Sequence, residues 1–161
     1  MNKNPLLSIL TVNKNDNYHE DQLQRTKFIL NYLIYSLKKM DALNKVEYII
    51  VDWGSKEPLS NYFYKEISTC SAIKFINVPL EETQKCKLSF DVSKAQNIGI
   101  KNCSGEHIMI TSPDQFLPLS IFNNLLSLLE KPEIFGINGD EYKLVPRKNL
   151  EDQYFIFEND M

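Results

Sequence analysis

Three short polar clusters hold the side chains best suited to chemistry: Asn13 to Asp16, Asp52 to Ser55 and Ser112 to Asp114. Each lies directly behind a short apolar run, LLSILTV, VEYIIV and HIMIT respectively. Such runs read as buried strands, and in an open α/β sheet ligands bind beyond the carboxyl ends of the strands. Carboxylates gathered at one sheet edge are costly unless a cation or hydrogen-bond donors compensate them. A ligand carrying amide N–H groups, together with a divalent metal, would supply both.

Each cluster also has a purely structural reading. Asp52-Trp53-Gly54-Ser55 can be a strand-ending turn, with Asp52 bonding backbone amides and Gly54 supplying a positive φ. Trp53 within it either stacks on a ligand or fills the sheet edge. Asn97-Ile98-Gly99 can be helix packing, with Gly99 letting a helix approach the sheet. Ser112-Pro113-Asp114 can be a turn ahead of the helix that starts near Leu119. Lys94 and Lys101 read as a solvated helix face.

The elements that must position these clusters follow from the hydrophobic period. Leu6 to Val12 is the first strand. From Asp21 to about Leu43 the period becomes helical, with Leu23, Leu30, Leu33, Leu37 and Met40 on one face and Gln24, Lys27, Lys38 and Lys39 on the other. Val46 to Ser55 contains the second strand, and Ala72 to Val78 a third, more amphipathic one. DVSKAQNIGIKN is a shorter helix capped by Asp91 or Ser93. His107 to Thr111 is the fourth strand. A helix from about Leu119 to Glu130 turns Leu119, Phe122, Leu125, Leu126 and Leu129 inward, and Pro132 stops it. Apolar strands alternating with helices imply a parallel sheet covered on both faces, a three-layer doubly wound α/β arrangement. IFGIN, YKLVP and YFIFE, with no helices between them, read as short antiparallel additions. With no repeat, low-complexity tract or linker, residues 1–161 read as a single domain.

Composition narrows the function. A net charge of -3, with lysines scattered among acids, argues against nucleic acid. Three widely spaced cysteines, Cys70, Cys86 and Cys103, make neither a disulfide framework nor a zinc cluster and suit a reducing, cytoplasmic setting. His19 and His107 read as surface or strand residues. No apolar stretch reaches membrane length.

The order and spacing of four stretches, SILTVNKND, the Arg25 helix, VEYIIVDWGS and SKAQNIGIKNCSGEHIMITSPD, resemble glycosyltransferase family 2 from about Leu7 to Asp114. Members read like a strand ending in a polar turn, then VD-x-GS, then an A-x-N-x-G helix-turn ending in G-E. A strand closing on an Asp-x-Asp or Asn-Pro-Asp motif follows. Ala95, Asn97, Gly99, Gly105 and Glu106 fall in that register. The resemblance implies a Rossmann-like, three-layer GT-A domain that binds a nucleotide sugar. It implies that Thr11, Val12 and Asn13 lie against the nucleoside. Asp52 would accept a hydrogen bond from the base, of uracil or thymine type, and Asn97 would sit near the ribose or diphosphate. Asp114 would be the carboxylate for Mn²⁺ or Mg²⁺. The implied partners are a nucleoside-diphosphate sugar donor and a glycan or lipid-linked acceptor, with room for a protein partner or a homo-oligomer.

Departures from the pattern also carry meaning. Ser112-Pro113-Asp114 keeps one carboxylate of the metal motif, and Gln96 stands where the family often has arginine. The acceptor-side general base of inverting members would have to come from Asp140, Glu141, Glu158 or Asp160, none of which sits in a recognisable motif. The sequence is accordingly read as a fragment, a minimal member, or a binding domain without catalysis. A receiver domain would need an acidic pair directly after the first strand, where Asn13-Lys14-Asn15 stands. A dinucleotide-binding oxidoreductase would need glycines there.

Overall fold

The two longest apolar runs become strands buried along their length, whereas the strands Ile73–Val78 and His107–Thr111 are only partly buried. In the computed structural model, residues 4–16, 20–115, 117–130, 138–139 and 142–146 are described, the last two stretches as backbone. β1 (Leu7–Asn13) is buried at every position and leads into α1 (Gln22–Lys39). β2 (Val46–Trp53), equally buried, is followed by the short helices α2 (Leu59–Tyr62) and α3 (Tyr64–Thr69). Then come β3 (Ile73–Val78), α4 (Leu80–Gln84), α5 (Val92–Asn102) and β4 (His107–Thr111). α6 (Leu119–Leu129), β5 (Asn138–Gly139) and β6 (Tyr142–Pro146) complete the described elements.

The strands form one sheet in the order β3-β2-β1-β4-β6-β5. β1 pairs parallel with both β2 and β4, and β2 with β3, while β6 runs antiparallel to β4 and β5. YKLVP is therefore the antiparallel addition the sequence suggested; YFIFE lies outside the described residues. Because β2 and β4 flank β1 on opposite sides, the strand order reverses there, and a crevice opens beyond the carboxyl ends of β1 and β4.

Alternation along β1 feeds two cores. Leu7 and Ile9 pack with Leu30, Leu33 and Leu37 of α1 and with Phe122, Leu126 and Leu129 of α6. Leu10 and Val12 pack on the other face with Ala95 of α5 and with Trp53. Trp53 is thus core, 2% exposed, which settles its two readings in favour of the sheet. Gly99 lets α5 lie close: a Cβ there would meet Leu10 Cδ1 at 2.2 Å. Asp91, one of the two expected caps, accepts a 3.0 Å bond from the Lys94 amide.

The long helix ends earlier than its period suggested. Asp41 takes a left-handed backbone, φ 51, and the Ala42 amide bonds back to Leu37 O at 2.9 Å while the Asp41 amide reaches Lys38 O at 3.3 Å. This is the paired bonding of a Schellman ending, built with aspartate where glycine is usual. No helix among the described residues is long and apolar enough to cross a membrane.

Candidate functional site

The strand order makes the carboxyl ends of β1 and β4 the place for a ligand, and a cavity of about 800 Å³ lies there. That falls within the roughly 300–1,000 Å³ usual for small-molecule sites. β1 and its loop contribute Val12, Asn13, Lys14 and Asp16; the first turns of α1 contribute Gln22, Arg25 and Thr26. The opposite wall is β4 and its turn, from Ile110 to Gln115, and the far side is Ser89, Phe90, Val92 and Gln96 around the start of α5.

The β1 loop is held by side chains, not by regular structure. Asn13 is 2% exposed; its amide donates to Thr26 Oγ1 at 3.2 Å, and its oxygen accepts from the Lys14 backbone and from Gln22. Gln22 also donates to Lys14 O at 2.7 Å. Lys14 Nζ reaches across to Ser89 O at 2.8 Å, tying the β1 loop to the loop before α5.

Asp52 sits one strand away in register with Asn13, 2% exposed, and is not among the residues lining the cavity. Its carboxylate accepts from the Leu59 amide at 2.8 Å, from the Ser55 amide at 3.3 Å and from the Ser55 hydroxyl. Gly54, at φ +67, lets the turn form. Ser55 Oγ in turn accepts from the Asn15 amide at 2.7 Å, so Asp52 braces the β1 loop through Ser55. The structural reading of this cluster is realised in full.

On the β4 side, Asp114 is exposed at the cavity wall. Its Oδ1 accepts from Ser112 Oγ at 2.6 Å, and its Oδ2 lies 3.6 Å from Arg25 Nη1. Arg25 also pairs with Asp21 at 3.1 Å, while its Nε is buried without a partner. Gln115 shapes this turn by accepting from Thr111 Oγ1 and from the Ser112 amide, each at 3.0 Å.

Of the residues expected from sequence, Val12, Asn13 and Asp114 line the cavity. Thr11 is buried behind them with its hydroxyl unpartnered, and Asn97 is half-buried on α5 while its neighbour Gln96 faces the cavity. Asp140, Glu141, Glu158 and Asp160 lie outside the described residues. Lys14 and Asp16, from the first polar cluster, line the cavity too, whereas Gln22 and Arg25 were not expected at the site. Gln22, Arg25, Thr26 and Ile29 fall on one stripe of α1 at helical spacing, and a helix that follows a central strand begins at that strand's carboxyl end. That stripe was the available signal.

The two carboxylates lining the cavity, Asp16 and Asp114, offer hard oxygen donors. No group of three metal-ligating side chains occurs among the described residues. This donor set suits a magnesium- or manganese-like ion held by one or two carboxylates and completed by a ligand's phosphates, in place of a closed protein cage.

No family model and no curated protein matches the sequence. Solved structures do. The chain is similar to the mannosyltransferase PcManGT from Pyrobaculum calidifontis, solved in complex with GDP-Man and Mn²⁺. The TM-score is 0.67 at 16% identity, over 94% of this chain and 47% of that one. It is also similar to S. aureus TarS 1-349 in complex with UDP-GlcNAc, at TM-score 0.60 and 13% identity, over 92% of this chain and 47% of that one. The chain therefore spans about half the length of these structures. They are GT-A-type glycosyltransferases, and the fold of this chain is the GT-A fold.

Proposed function

We propose that the chain is the donor-binding part of a glycosyltransferase of family 2 type. It takes a sugar from a nucleoside-diphosphate sugar, of UDP or dTDP type, for transfer to a glycan or lipid-linked acceptor. The observation that carries this reading is the cavity at the β1/β4 switch point, with Asn13 on one wall and Asp114 on the other. The likeness to transferases solved with GDP-Man and with UDP-GlcNAc supports it.

In this reading Val12 and Asn13 border the nucleoside, with Thr11 directly behind them. Gln96, one position from Asn97, supplies the polar contact on the α5 wall. Asp52 works as a positioning residue through Ser55 and Asn15. Asp114 holds Mn²⁺ or Mg²⁺ together with the donor's phosphates. The cation supplies Lewis-acid stabilisation of the charge that grows on the departing diphosphate. This chain's own residues bind and orient: the bonds from Asn13 to Thr26 and from Gln22 to Asn13 fix the loop that faces the nucleoside, and Lys14 closes it against Ser89. A second reading, nucleotide-sugar binding without transfer, is favoured by Ser112, which stands where a two-carboxylate motif would place its first acid.

The test is a thermal-shift panel of UDP, dTDP, GDP and CMP, with and without Mn²⁺, on wild type and Asp114→Ala. A ligand at 100 times its Kd adds about 2.7 kcal/mol, or roughly 5–10 °C for a domain of this size. A Mn²⁺-dependent shift with one pyrimidine diphosphate, lost in the variant, is expected. No shift with any of the four at millimolar concentration would remove the donor-binding reading. Release of free nucleotide from the sugar donor in the presence of acceptor glycans then separates transfer from binding alone.

A further inference from the structure

The Arg25 guanidinium lies beside the Asp114 carboxylate. Its Nη1 is 3.6 Å from Asp114 Oδ2 and its Nη2 is 3.1 Å from Asp21 Oδ1. The same two residues, Arg25 and Asp114, line both the main cavity and an adjoining hollow of about 360 Å³ beside Gln24 and Phe28. Their ion pair is therefore a partition between the two spaces. Arg25 Nε is buried with no partner, a donor that an acceptor entering the cavity would satisfy.

We propose that Arg25 is the resident counter-ion of Asp114, and that a divalent cation reaches this carboxylate only when a diphosphate draws the guanidinium away. The inference rests on the reading of the cavity as a nucleoside-diphosphate site. Three facts support it. A guanidinium beside Asp114 repels an incoming divalent ion and weakens that ion's hold on the shared carboxylate. No three-ligand group among the described residues would hold the ion without help. Arg25 keeps Asp21 as a second partner, so moving off Asp114 does not leave it uncompensated. The planar fork of arginine matches phosphate oxygens in two-point fashion, and the unpartnered Nε–H is the atom that gains most from the exchange. Cation and nucleotide binding are then coupled, each favouring the other by the same factor.

Titration of Mn²⁺, followed by the electron paramagnetic resonance signal of the free ion, tests this on the full chain. The proteins are wild type, Arg25→Gln, Asp114→Asn and the double variant, each alone and with UDP. Without nucleotide, wild type and Asp114→Asn bind Mn²⁺ weakly and alike, and Arg25→Gln binds about tenfold tighter. The double variant loses that gain. With saturating UDP, wild type approaches the affinity of Arg25→Gln, while Arg25→Gln itself binds UDP about tenfold more weakly than wild type does. Arg25→Met, which keeps the apolar stem, replaces Arg25→Gln should that variant melt early. An Arg25→Gln protein with wild-type Mn²⁺ affinity, or a gain that survives in the double variant, overturns the proposal. If UDP binds none of the four proteins, the donor reading and the coupling fail together. The Mn²⁺-only comparison still reports separately on whether Arg25 guards Asp114.

Discussion

Lys74 Nζ donates a 2.6 Å hydrogen bond to Glu47 Oε2, at the end of the sheet opposite the cavity. Glu47 is 2% exposed, and its carboxylate also accepts from Ser8 Oγ, from the Ser104 hydroxyl at 2.9 Å and from the amides of Ser104 and Gly105. One side chain thus joins β1, β2, β3 and the turn before β4. Burial alone would push its pKa up. The bonds from Lys74, Ser8 and Ser104 outweigh that and hold it at about 2, below the ordinary 4.5.

The sign follows from linkage. A carboxylate whose pKa is lower folded than unfolded adds stability above its unfolded value, and that stability is lost as pH falls from about 4.5 towards 2. The contribution is about 2–3 kcal/mol. Urea melts between pH 7 and pH 2 should show this slope in wild type and a flatter profile in Glu47→Gln. Equal slopes would mean that Glu47 does not hold the acid limb.

Asp52→Ala should cost about 2–4 kcal/mol of stability, because the Leu59 and Ser55 amides lose a charged acceptor. Nucleotide affinity should fall roughly tenfold or more as the Asn15 loop loosens. Asp52→Asn keeps one acceptor oxygen but turns an NH2 donor towards the other donors, and should recover only part of the stability. Denaturant melts paired with calorimetric UDP titration check this, and an Asp52→Ala protein as stable as wild type would argue against the bracing role.

Gln96→Arg adds positive charge at the cavity wall and should tighten UDP binding severalfold, with the gain fading as salt rises from about 50 to 500 mM. A gain insensitive to salt would point to a rearranged wall instead of charge.

Asp41→Gly relieves the left-handed strain at the end of α1 and should raise stability by about 0.5–1 kcal/mol, seen as a higher urea midpoint at unchanged slope. A lower midpoint would mean that the aspartate side chain compensates its own backbone.

Much of the frame was legible in the sequence, for reasons that particular residues show. β1, β2 and β4 declare themselves because an apolar run in a sheet covered on both faces gives way abruptly to polar residues where the strand ends, as at Asn13 and Ser112. α2, α3 and α4 have four, six and five residues, too few to display a helical period. Arg25 was hidden because a charged side chain on an amphipathic helix reads as solvated; only the packing of α1 on the sheet brings its first turn to the cavity. Glu47 was hidden because its partners come from separate segments, and nothing local distinguishes a buried acid from one on an exposed strand. Asp52 shows the converse. Its motif was plain, and its hydrogen bonds make it a brace for the neighbouring loop.

Asp52 lies five residue steps along β2 from Glu47, a distance of about 17 Å at the rise of a strand. The polar anchor at one end of the sheet and the ligand cavity at the other therefore share no side chains, and substitutions at the two ends should combine additively. Such an arrangement lets the mouth of the cavity be retuned, at Phe90 or Gln96, while the anchored end stays unchanged. New ligand preferences can then accumulate without eroding the foundation on which every variant must fold.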